Sequence, residues 1–450
     1  MLGMYDPLRI ALVASLLPLL ASVAPASAAV VPRGSCTQMP VAMGWFANWE
    51  DTDSPSFGLA NMNWTQYTRV SYAFLEPGTD QSIPVDGYDT QLKLFVQEAH
   101  THNVNASVTV GGWTGSLHFS SAVATEQSRG NFVNAAVQLV NNYDLDGLDF
   151  DWEYPSQAGV GCNEQSPNDA SNYLLFLQEL RSRLPSKTLS AAVGLKPFLG
   201  SSGSPMSDVS GFYSVLDYIE PMNYDVFGSF SSSVGPNSPL ADACAPTADQ
   251  EGSAMSAVKA WSAAGFKADK IVLGVAGYGH SFKVAKANAY VSAANKTLRM
   301  YAPFDAAGQP NGDSWDTAAP GTTATDVCGN TSSAVTGIFN YWGMYQKGFL
   351  DADGNPADGI DYLWDSCSST PFVYNPNTQT MVSYDNAESF LAKGQYIREA
   401  GLRGWAMWEA ASDYNNTLVE AIRSTTLADY NFGCMSTGAL MAVVKDVTNL

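Results

Sequence analysis

Short runs in which apolar and polar residues alternate are separated along this chain by segments with a helical repeat. The clearest run is Asp-Gly-Leu-Asp-Phe-Asp-Trp-Glu-Tyr-Pro at 146–155. Side chains alternate faces along a strand, so Asp149, Asp151 and Glu153 share one face while Leu148, Phe150, Trp152 and Tyr154 take the other. Asp146 is out of step with the three acids and is expected to have a structural role where the strand begins. Between such runs, Tyr173, Leu174, Leu177, Leu180 and Leu184 recur at three- and four-residue steps until Pro185 stops them, which predicts a helix over 168–184. Segments 127–142 and 386–400 behave likewise. Strands alternating with amphipathic helices predict parallel pairing, and eight such units close a barrel; periodicity alone leaves an open doubly wound sheet possible.

The acid face suggests chemistry. Three carboxyls at neighbouring positions on one face repel when ionised, so at least one proton is retained and shared, as a general acid requires. The competing readings are a hard-metal site with oxygen ligands and a solvated strand end. Four large apolar residues on the reverse face demand burial and oppose the second; neither a metal nor a cofactor is expected.

Asp-x-x-Asp-x-Asp-x-Glu followed by Tyr154-Pro155 resembles the fourth-strand motif of glycoside hydrolase family 18, the chitinases and their relatives. Other segments resemble that family's strands in order. They are Met43 to Trp49, Val70 to Phe74, Val108 to Trp113 with Gly111 and Gly112, Leu189 to Val193, Tyr218 to Asp225, Ile271 to Phe282 and Gly404 to Glu409. The resemblance implies a (β/α)8 TIM barrel of the α/β class, with a small α+β insertion after strand 7. It divides the chain into a signal peptide (1–28), a catalytic barrel (29–435) containing an inserted subdomain (281–384), and a tail (436–450). The insertion is expected because the Gly-, Pro-, Asp- and aromatic-rich stretch is too long for a connecting loop.

The same resemblance implies roles. Glu153 would be the general acid. Asp151 would orient the substrate acetamide, Asp149 would share a proton with Asp151, and Tyr224 would bond the acetyl carbonyl. Asp225 and Tyr278 would hold the sugar, Trp408 would lie beneath it and Met222 beside it. Trp45, Trp49 and Trp113, with Phe74 and Phe230, are expected to line subsites. Two departures from the family pattern stand out: His280 where many relatives have arginine, and Phe230 where many have tryptophan.

An apolar run from Ile10 to Leu20 after Arg9, then Ala26-Ser27-Ala28, reads as a secretory signal. No later segment has the ~18 apolar residues of a membrane span. Six cysteines suit an oxidising compartment; placed on the implied barrel they pair most compactly as Cys36–Cys434, Cys162–Cys244 and Cys328–Cys367. Asn63, Asn105, Asn295, Asn330 and Asn415 begin N-glycosylation sequons. With 22 basic against 43 acidic residues, a net charge of −21 makes nucleic acid an improbable partner. The expected protein is a secreted, monomeric chitinase acting on chitin and N-acetylglucosamine oligosaccharides. An endo-β-N-acetylglucosaminidase of N-glycans and a non-catalytic chitin-binding lectin are the alternatives.

Overall fold

The computed structural model of the protein describes residues 39–427 apart from 293, 295 and 320. The expected signal peptide, the C-terminal tail, the Asn295 sequon, Cys36 and Cys434 lie outside the described residues.

Eight strands run parallel: Val41–Ala47, Arg69–Leu75, Asn105–Gly111, Gly147–Asp151, Thr188–Val193, Tyr218–Pro221, Val272–Ala276 and Gly404–Trp408. The last pairs with both the first and the seventh, and an Ile219–Ile271 bridge joins the sixth to the seventh. The chain is a (β/α)8 barrel.

Its helices start and stop where side chains satisfy their ends. Glu126–Tyr143 is capped by Thr125, whose Oγ1 accepts the Ser128 N–H at 3.1 Å. Asp169–Arg183 ends at Leu184, just before Pro185, with Arg181 and Arg183 in its negative last turn. Ala387–Glu399 is capped by Asn386, whose Oδ1 accepts the Ser389 N–H at 3.0 Å.

Two apolar layers result. Outward-facing Leu148 and Phe150 pack under the helices, where Phe176 stacks on Phe132 with centroids 4.7 Å apart and meets Phe150 edge to face at 5.3 Å. Inside the barrel lie Met43, Trp45, Ala73, Ala192, Tyr218 and Ala406. Buried polar groups share that interior region, among them Thr109, Asp149, Ser190 and Glu220.

The segment Ile271 to Phe282, expected as one strand, is two. Val272–Ala276 belongs to the barrel, and Tyr278–Lys283 to a separate five-stranded antiparallel sheet with Ile338–Asn340, Asp361–Asp365, Thr370–Asn375 and Thr380–Ser383. The break falls at Gly277, whose N–H bonds Trp408 O (2.8 Å) and where a Cβ would lie 2.6 Å from Ser412 Cβ. This sheet, with short helices such as Tyr341–Gln346 and a core that includes Phe282, Phe372, Tyr374 and Met381, forms the α+β insertion.

Two of the expected disulfides, Cys162–Cys244 and Cys328–Cys367, are overturned. Cys162 pairs with Cys328 and Cys244 with Cys367, at Cα separations of 5.4 and 5.8 Å. The expected arrangement kept one bond between two barrel loops and one within the insertion. In the structure the insertion folds against both loops, so each loop cysteine meets an insertion cysteine instead.

Candidate active site

The fourth strand ends at Asp151, near the mouth of the barrel. Asp149, fully buried, accepts three hydrogen bonds: Trp45 Nε1 (3.1 Å) and Thr109 Oγ1 (2.9 Å) on one oxygen, Ser190 Oγ (2.8 Å) on the other. Burial raises its pKa while these donors oppose the rise. Asp151 differs: its Oδ1 is buried with no donor. Burial first, then the charges of Glu153 and Asp149, hold it well above the usual carboxylate range. Glu153 is raised to about 7, chiefly by burial, with the Tyr154 hydroxyl opposing and Asp225 adding. One carboxyl satisfied by three donors thus stands next to two whose pKa values burial and neighbouring charge raise.

The backbone here depends on glycine. Gly111 has φ +114°, and a Cβ on it would lie 2.1 Å from Asp151 O; the Gly112 N–H bonds that same oxygen at 2.8 Å. Beyond Asp151, Ser116 Oγ accepts the Glu153 N–H at 2.8 Å and fixes the turn. The strand has ended by then, so the expected alternation does not reach Tyr154. Its hydroxyl bonds Glu153 rather than lying on the reverse face with Trp152. Asp146 sits at the opposite end, accepting the Ala106 N–H (2.8 Å) and contacting His100 Nε2 (2.9 Å).

Met222, Tyr224 and Asp225 follow the sixth strand. Asp225 adopts φ 54°, its N–H bonds Asn237 Oδ1 (2.9 Å), and its carboxylate meets His280 Nε2 (2.7 Å) and the Tyr278 hydroxyl. His280 and Tyr278 come from the insertion, which therefore helps build the site. Beneath this loop a buried ion pair, Lys393–Asp385, reaches Ser238 Oγ (2.7 Å from Lys393 Nζ), and Ser238 donates to Asn223 O at 2.5 Å.

The aromatic residues divide by depth. Trp408 stacks with Phe74 (5.3 Å), and Trp49 lies against both, at 6.1 Å from Phe74 and 6.3 Å from Trp408. Trp49, Trp113 and Phe230 are 43%, 51% and 69% exposed. Trp45, expected as a sugar platform, is instead buried within the barrel, its ring edge on Trp408 at 6.0 Å and its N–H on Asp149. It sits within the strand rather than on a loop beyond its end.

Sequence reasoning gave no role to Thr109, Ser190, Ser116 or the buried Lys393–Asp385 pair, and it put Tyr154 on the apolar face. Thr109 and Ser190 carried a signal: small hydroxyls at inward positions on the strands flanking the fourth. Among the described residues no group of three His, Cys, Asp or Glu side chains is arranged to hold a metal ion.

Residues 41–413 match the family model for glycosyl hydrolases family 18. The chain belongs to that family. A "chitinase-like effector" of Moniliophthora roreri is 45% identical over 85% of this chain and 92% of its own length. Endochitinase 1 of Metarhizium robertsii is 26% identical, with 90% and 89% covered. Among solved structures, a chitinase from Rhizomucor miehei is 34% identical with a TM-score of 0.76, covering 86% of this chain and 99% of that one.

Proposed function

We propose that the protein is a secreted chitinase that hydrolyses β-1,4 bonds between N-acetylglucosamine units with net retention. The observation that carries the reading is the intact acid set, in which Glu153, at about 7, still holds a proton in mildly acid solution while Asp149 is satisfied by three donors. Secretion is supported by the apolar run at Ile10 to Leu20 with its small-residue site, and by two disulfides.

Family 18 catalysis is substrate-assisted as a class. In this reading the chain's role is to hold the −1 sugar so that its acetamide oxygen attacks the anomeric carbon. The glycosidic C–O bond breaks, and the Glu153 proton passes to the leaving oxygen. Asp151, its pKa raised by burial and by the charge of Glu153, orients the acetamide N–H, and Tyr224 donates to the acetamide oxygen. The oxazolinium ion that results is opened by water, whose proton returns to the Glu153 carboxylate, and the β configuration is kept. Trp408, Phe74 and Trp49 form the apolar floor.

The second reading comes from two relatives, 45% and 43% identical, that are named "chitinase-like effector": a protein that binds chitin fragments without cutting them. Initial-rate hydrolysis of an N-acetylglucosamine hexamer separates the two. The wild type is expected to cleave it and Glu153→Gln to lose ~10²–10⁴-fold in rate while still binding. Fully deacetylated oligomer should not be cut. A wild type that binds the hexamer without turnover would establish the second reading.

A further inference from the structure

Behind the aromatic floor lie two carboxyl groups for which the proposed reaction has no use. Glu50 follows Trp49 on the loop leaving the first barrel strand, and Glu409 follows Trp408 at the end of the last. Those strands are paired neighbours, with Gly44 opposite Met407, so their ends bring the two side chains together. Each residue is 5% exposed. Each keeps its Oε2 buried with no donor, yet the two carboxyls lie within hydrogen-bonding reach of one another. Two ionised carboxylates so placed would repel in a poorly solvated space. A single proton between them turns the repulsion into a hydrogen bond and supplies the missing donor.

The other groups facing the pair are few. Asp53, farther along the same loop, bonds Glu50 and acts on both carboxyls; the Trp49 side chain bonds Glu50, and the Ala47 backbone bonds Glu409. Asp51 is engaged instead by Gln91 Nε2 at 3.1 Å. The pair therefore touches the Trp49 side chain directly and Trp408 through the chain.

We propose that Glu50 and Glu409 are positioning residues, a proton-sharing clamp that holds Trp49 and Trp408 as one sugar-binding floor and releases it when the proton is lost. This rests on the proposed chitin-binding function. Burial is the leading cause that raises Glu50 to about 8 and Glu409 well above the usual range. The sign follows: both groups are raised, so the proton between them is held through the ordinary carboxylate range and the clamp opens on the alkaline side, with Glu50 itself giving up its proton as pH rises through about 8. Stability contributed by the clamp is lost in the same direction.

Activity cannot isolate this event, because Glu153 loses its proton in an overlapping window. The test is binding of N-acetylglucosamine hexamer by calorimetry from pH 6 to 9.5 in Glu153→Gln protein, with and without Glu409→Gln. The amide donates to Glu50 at every pH and restores the clamp without a titrating proton. Affinity in the parent is expected to fall about tenfold or more between pH 7 and 9.5, and to change less than about twofold with Glu409→Gln. Glu50→Gln serves as the second variant should Glu409→Gln not fold, with the same flattening expected. An affinity that is flat in the parent, or that falls equally with the amide present, overturns the clamp.

Melting temperature supplies a readout that needs no ligand. Between the ordinary carboxylate range and about pH 8 the parent should lose melting temperature relative to Glu409→Gln as pH rises, because the folded pair still holds a proton that the unfolded chain has lost, and equal slopes there overturn the proposal. Absence of hexamer binding at every pH would refute the chitin-binding function instead, leaving the melting curves to judge the clamp.

Discussion

Replacing Tyr154 with phenylalanine removes one hydroxyl from the candidate site and should move the alkaline limb of activity upward. Glu153 stands at about 7 because burial outweighs the Tyr154 hydrogen bond, which favours the ionised form. Removing that bond therefore raises the Glu153 pKa further and keeps its proton to higher pH. A hydrogen bond to a charged group contributes ~1.5–3 kcal/mol, and 1.36 kcal/mol corresponds to about one pH unit. Glu153 is only partly covered, so water takes over part of the lost bond, and a displacement of about one pH unit is the working figure. At pH 8 about a tenth of the wild type is then protonated against about half of the variant, so the variant's rate relative to its own optimum rises roughly fivefold. The assay is kcat/KM on a soluble N-acetylglucosamine oligomer from pH 4 to 9.5, which reports groups on the free enzyme. A limb that stays in place, or moves to lower pH, would refute both the direction of the Tyr154 bond and the assignment of Glu153 as the titrating acid.

Two further variants probe the walls and the foundation of the site. Trp113→Ala should leave the melting temperature nearly unchanged, because the ring is half exposed, yet weaken long oligomers and insoluble chitin more than short substrates; a large fall in melting temperature with equal losses on both would identify Trp113 as packing. Lys393→Met strands Asp385 as a lone buried charge and should cost ~3–5 kcal/mol, seen as a lower denaturant midpoint, and a midpoint within error of wild type would contradict the pair's supporting role beneath the Tyr224 loop.

The contrast between Trp45 and Trp49 shows what period-two reading can resolve. Both have the parity of the barrel lumen, so alternation treats them alike. Depth along the strand separates them: Trp45 lies mid-strand under Trp408, while Trp49 has passed the strand's end and meets solvent. Tyr154 fails for the related reason that alternation stops with the strand at Asp151. Gly277 hid a break because the residues on both sides of it are strand-forming, though they join different sheets. Helix limits were legible to within a few residues, since Thr125, Asn386 and Pro185 act locally. Disulfide partners were not, because they depend on how a hundred-residue excursion settles against loops far away in the chain.

Those two cross-links have a mechanical consequence. One joins the loop after the fourth strand to the insertion, and the other joins the loop after the sixth strand to it. The insertion is also continuous with the barrel at both its ends, so four covalent points hold it. A jaw riveted in that way does not swing open for a thick fibre and close on a thin one. The gauge of the cleft is set once, when the bonds form. On the proposed action on chitin, selection among insoluble surfaces would then depend on how readily the solid yields a single chain that fits it.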